Sequence, residues 1–144
     1  MKKNSLREFY PEVYPRTLWI ATSDNITYLL NTFDFYSTTD TLKRNDNPSK
    51  TFQSLIDDGT IAAVLPVVRK SDSVNGVLLI ILNMDMFDTK TIAHEAVHVA
   101  DYICDEMGIT TGRLSENEHY AYLVGWVAGK ISEYLIGIGV WVYY

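Results

Sequence analysis

The chain is short of cysteine, of positive charge and of long apolar runs, and each shortage removes a class of protein. A single cysteine, Cys104, in 144 residues excludes an internal disulfide. It falls one position from an apolar helical stripe, so a small buried thiol under reducing conditions is expected. Lys and Arg number 12 against 18 Asp and Glu, a net charge of -6, and no basic run offsets that balance. Nucleic-acid binding is therefore not expected. No apolar stretch follows the charged start Met1-Lys2-Lys3, because Leu6 to Pro11 is polar. No signal peptide is expected, and the location that fits is cytoplasmic. The most apolar segment, 123–144, is interrupted by Lys130 and Glu133 and broken again by Gly137 and Gly139, so no membrane span is expected. Repeats, low-complexity tracts and linkers are lacking too. One domain over 1–144, large enough to bury a core, accounts for the length.

What is present is a soluble composition, 47% hydrophobic and 21% charged, with patterning that reads as alternating strands and helices. Arg16 to Thr22 reads as a strand. Ser23 or Asp24 then caps a short helix over 26–33, with Ile26, Leu29, Leu30 and Phe33 inward. The polar stretch 36–47 reads as a loop. Asn47-Pro48 starts a helix carrying Phe52, Leu55 and Ile56 that stops at Gly59. The apolar runs 61–68 and 77–82 flank the turn-rich segment 71–76, which predicts an antiparallel hairpin. Val77 to Leu82 is apolar without alternation, as in a strand covered on both faces. Pro66 cannot donate to a ladder, so its strand is expected at a sheet edge or with a bulge.

The chain is organised around Thr91 to Asp101, which contains His94-Glu95-Ala96-Val97-His98. On a helix, residues four apart lie on one face, so His94 and His98 can share a metal ion. Glu95, the next residue round, is placed to act on a water at that ion rather than to bind it. Asp88 or Thr89 caps this helix and Gly108 ends it. Ile92, Ala96, Val99, Ile103 and Met107 form its buried stripe, while His94, His98, Asp101 and Asp105 occupy a polar face.

A catalytic zinc site takes three protein ligands and leaves one position open. The remaining histidine, His119, and its neighbour Glu118 compete for the third place on a last long helix that Ser115 can cap, with Glu118 at capping-box spacing. Glu118 shares a face with Ala121, Gly125, Ala128 or Gly129, and Ser132, small residues that permit close helix packing. His119 shares one with Tyr122, Leu123, Trp126 and Lys130. That contrast favours Glu118.

His94-Glu95-x-x-His98 followed by Asn117-Glu118 resembles the gluzincin branch of zinc metallopeptidases, the group of thermolysin. The run Glu118-His119-Tyr120-Ala121-Tyr122 also resembles small zincin-like proteins encoded by tailed bacteriophages. The motif-level likeness covers about residues 88–130. It implies an α+β zincin-like domain: a small mixed sheet, with an edge-strand hairpin against the histidine helix and a second long helix. It also implies Zn2+ held by His94, His98 and Glu118, with Glu95 as general base, and a peptide substrate lying extended along strand 61–68. A host cytoplasm or a virion would be the setting.

Two departures stand beside the likeness. The acidic residue that gluzincins carry four positions after the third ligand is Tyr122 here, and Asp101 is the substitute that could support a histidine. The chain also lacks room for a second subdomain supplying transition-state donors, leaving Tyr102, Tyr120 or Tyr122 as candidates. The function expected is zinc-dependent hydrolysis of a peptide or amide bond. The alternative is a non-catalytic zinc-binding structural or accessory protein, such as a phage assembly component. The aromatic C-terminus, 139–144, would then be a protein interface.

Overall fold

A computed structural model describes residues 5–37, 43–109 and 117–140. Its architecture is mixed α/β: among the described residues, four α-helices and a five-stranded mixed sheet. The strands are β1 (Arg7–Phe9), β2 (Thr17–Thr22), β3 (Phe33–Phe35), β4 (Ala62–Arg69) and β5 (Asn75–Ile81). They lie in the order β1-β2-β5-β4-β3, with β2 parallel to β5 and the other pairings antiparallel. The helices are α1 (Ile26–Thr32), α2 (Pro48–Asp57), α3 (Thr89–Glu106) and α4 (Glu118–Gly137).

The unalternating run in β5 is explained by its place. It is central, paired on both sides, and every residue from Gly76 to Ile81 is buried. Successive side chains supply two separate cores. Leu18, Ile20, Val77, Leu79 and Ile81 face α3 and α4, whereas Trp19, Ala21, Leu78 and Ile80 meet Leu29, Phe33, Phe35 and Phe52 on the other side. Each fully buried Leu, Ile or Phe is worth about 1.5–3 kcal/mol, so the two layers are mutually dependent. Gly76 is required where β5 meets β2. A Cβ there would overlap the Thr17 carbonyl oxygen and come within 2.6 Å of Trp19 Cζ3.

The hairpin β4–β5 forms as its pattern predicts, but β4 is not a full edge. Its C-terminal half pairs with β3 through Asp34↔Val68 and Phe35↔Val67. Strands β1 and β3 carry no clear sequence signal, since three residues are too few for periodicity to register. Pro66 causes no bulge and stays in register with Val77. Its imide nitrogen lies on the β3 side, where its carbonyl accepts from Tyr36 N at 3.0 Å, so the β5 ladder loses nothing.

Helix α2 starts as expected, with the Asn47 side chain accepting from Lys50 N and proline at the first position. Neither Ser23 nor Asp24 caps α1. Asn25 precedes it, after a short 3-10 turn over Ser23–Asn25. The α3 stripe is buried through Ile92, Ala96, Val99 and Ile103, with Ala100 and Cys104 beside it, but Met107 lies past the last turn and is exposed. Helix α4 buries Leu123, Val127, Ile131, Tyr134 and Leu135. The small-residue face expected to pack on α3 does not do so. Gly125 and Gly129 are exposed, and a Cβ on either would meet nothing within 4 Å. The larger apolar side chains remove more surface from water and so take the interface. No helix among the described residues is long and apolar enough to cross a membrane.

Candidate metal centre

The site rests on α3, which follows β5 after a short 3-10 turn over Met84–Met86. Asp88 caps the helix, its side chain accepting from Thr91 N at 2.9 Å and from Thr91 Oγ1 at 3.0 Å. Those bonds hold the Asp88 carboxyl below its usual range. Gly108, at φ +67°, closes the far end. With the apolar stripe turned to the sheet, the 3.6-residue period leaves the histidines facing outward.

His94 and His98 converge. Their Nε2 atoms are 3.1 Å apart and their rings meet edge to face at 4.6 Å. Two nitrogens each about 2.0–2.1 Å from a tetrahedral zinc lie roughly 3.3 Å apart, so the pair matches the spacing that one ion requires. Glu95 is set differently. It is only 7% exposed, and its Oε1 lies 3.9 Å from His94 Nε2. Burial pushes its carboxyl pKa up, while the two histidines pull the other way. The Glu95 carboxylate is thus buried beside the convergent nitrogens.

These three side chains line a cleft of ≈ 870 Å³ whose opposite wall is Ala62, Ala63 and Val64 of β4, with Leu55 and Thr60 at one end. The hydrogen-bond parity of β4 gives that wall its chemistry. Arg69 N bonds Val74 O, and Leu82 N bonds Ile61 O, so odd-numbered residues of β4 face β5. Even-numbered ones face β3, as Pro66 O accepting from Tyr36 N shows. Strand β3 ends at Phe35 opposite Val67. Among the described residues, the backbone N–H and C=O of Ala62 and Val64 therefore point out of the sheet beyond the reach of β3.

The remaining candidates scatter. Asp101 lines the cleft, but its Oδ1 accepts from the Tyr120 hydroxyl at 2.6 Å, tying α3 to α4 rather than bracing a histidine. Burial, reinforced by that carboxylate, pushes the Tyr120 pKa up to about 12, so it stays a donor. Tyr102 also lines the cleft and donates to Glu106 at 2.7 Å, and burial raises its pKa as well. Tyr122 is elsewhere. It is 74% exposed and lines a second cleft with Phe9, Tyr10 and Trp126, and His119 lines that second cleft too. Glu118 is exposed at the first residue of α4, outside the histidine cleft. Among the described residues no three His, Cys, Asp or Glu side chains stand together as a ligand set. The Ser115 cap and residues 141–144 of the C-terminal interface lie outside the described residues.

The sequence places an edge along 61–68, but β3 covers its C-terminal half, which confines the edge to 62–64 among the described residues. That limit becomes visible only when the length of β3 is known. The chain matches no protein-family model, no curated protein and no solved structure.

Proposed function

We propose that this protein is a zinc-dependent hydrolase of peptide or amide bonds. The observation that carries the reading is the 3.1 Å convergence of His94 and His98 Nε2 beside the buried Glu95 carboxylate, in a cleft walled by an open strand edge. The histidine pair fits Zn2+. Glu118, the expected third ligand, does not reach it in this structure, and its assignment rests on the Asn117-Glu118 resemblance. Zinc bound at the pair would lower the pKa of a water towards 7 and polarise a carbonyl oxygen.

The chain's own groups supply the rest. An extended peptide adds to the β4 edge, where Ala62 and Val64 offer backbone donors and acceptors. The small side chains of Ala62 and Ala63 leave room for the substrate backbone to approach. Glu95 accepts the proton of the attacking water and returns it to the departing amide nitrogen. Its burial supports this role, since a desolvated carboxylate is a stronger base for its proton. A non-catalytic zinc-binding protein is the second reading, and the placement of Tyr122 away from the cleft favours it.

Substitution of Glu95 separates the two. Glu95→Gln is expected to keep the fold and bind zinc as the wild type does, while cleavage of a mixed peptide library falls by at least a hundredfold. Unchanged cleavage by Glu95→Gln would remove it from the proton-transfer role, and a zinc-loaded wild type that cleaves no peptide would leave the second reading.

A further inference from the structure

The second cleft, ≈ 860 Å³, lies between α4 and the turn that follows β1, and its wall is largely aromatic. Phe9, Tyr14 and Trp126 line it and pack against the core shared by the sheet, α3 and α4, which holds their rings in place. The Lys130 ammonium braces two of them, 5.7 Å from the Phe9 ring centre and 5.9 Å from that of Trp126. Tyr10 and Tyr122 complete the wall. Both are largely exposed, which puts their hydroxyls within reach of a ligand. A second observation falls in the same place. His119 lines the cleft, and its Nε2 atom is buried with no hydrogen-bond partner among the described residues. Buried ring nitrogens are ordinarily paired, so this one is open to a polar group of a ligand.

Charge and wall chemistry narrow the ligand. Glu8 and Glu12 line the cleft, and the one lysine in its lining, Lys130, is bound to Glu133 at 3.0 Å. A nucleic-acid strand would stack on the rings but bring its phosphates against those carboxylates. An amphipathic helix needs aliphatic sockets, whereas Leu123 is buried here and Val13 and Ala121 stand out in solvent. A proline-rich segment presents carbonyl acceptors, which leaves the Glu12 carboxylate without a donor.

We propose that this cleft binds a neutral carbohydrate chain. A sugar ring has an apolar face of C–H bonds that lies against an aromatic ring, and a rim of hydroxyls that both donate and accept. The cleft matches both parts. Its rings supply the platform, the Tyr10 and Tyr122 hydroxyls donate, and Glu12 accepts. This inference does not rest on the zinc reading, because His94 and His98 line the other cleft.

Titration calorimetry with cellotetraose, maltotetraose and chitotetraose tests it, with a capped proline peptide and single-stranded oligothymidine as the rival ligands. At least one tetrasaccharide is expected to bind at millimolar concentration, equally with and without zinc. Tyr122→Ala should weaken that binding roughly five- to tenfold while leaving Tm unchanged to within about 2 °C, since the ring it removes is largely exposed. Glu12→Gln, which keeps the shape but loses the charged acceptor, should weaken it about threefold. Glu95→Gln should leave it unchanged. Binding of none of the three sugars, binding that survives both Tyr122→Ala and Glu12→Gln, or tighter binding of the proline peptide or the oligonucleotide overturns the proposal.

Discussion

Replacing His98 with alanine tests the metal centre most directly, because the structure separates its effect on zinc from its effect on folding. His98 is on the exposed face of α3 and contributes nothing to either core. Its loss should therefore change metal-free stability by no more than about 0.5 kcal/mol. The effect on zinc is large. Four-ligand zinc sites bind with about 10–16 kcal/mol, so each ligand carries on the order of 3 kcal/mol, about two orders of magnitude in Kd. At a zinc concentration a hundredfold above the wild-type Kd, the wild type gains about 2.7 kcal/mol by linkage. For a domain of this length that raises Tm by roughly 10 °C. The same zinc concentration would only equal the variant's Kd, which leaves about 0.4 kcal/mol of stabilisation and a shift near 1 °C. Differential scanning fluorimetry with added zinc, checked by competition with a chromophoric chelator, reads both. His119→Ala is the control, since His119 lines the other cleft and should leave the shift intact. Glu118→Ala decides the third ligand, a weaker shift than wild type being expected. An equal zinc-induced shift in wild type and His98→Ala, or none in the wild type, refutes the metal centre.

Three further outcomes are expected. Val64→Pro removes a backbone N–H that faces the open edge and should cost about 1 kcal/mol of stability while weakening peptide binding five- to tenfold. Leu65→Pro strikes an N–H bonded to β5 and should unfold the protein, so comparison of the two by circular dichroism and anisotropy checks the edge assignment. Gly76→Ala forces a Cβ against the Thr17 carbonyl and the Trp19 ring, and chemical denaturation should show a loss of about 1–3 kcal/mol. The depressed Asp88 carboxyl contributes stability that is present above its unfolded value of about 3.9 and is lost as pH falls through the lower folded one. The Tm advantage of wild type over Asp88→Asn should accordingly be constant near neutrality and shrink below about pH 4.

Local rules written along one stretch of chain were enough for much of this protein. Helical spacing put His94 and His98 on one face with Glu95 beside them, because the period of a helix is set by its backbone alone. Asp88, Asn47-Pro48, Gly59 and Gly108 marked helix ends for the same reason, each satisfying or releasing backbone groups a few residues away. The unalternating run of β5 announced a strand covered twice. Tertiary structure decided whatever required comparing distant surfaces. Which face of α4 packs inward depended on Leu123, Val127 and Ile131 outweighing a stripe of small residues in buried area, a competition invisible along the helix itself. That choice turned Glu118 outward and brought Tyr120 to Asp101. The open edge at 62–64 likewise depended on where β3, three residues long, stops against β4, since pairing partners are chosen by surfaces that meet only in the folded chain.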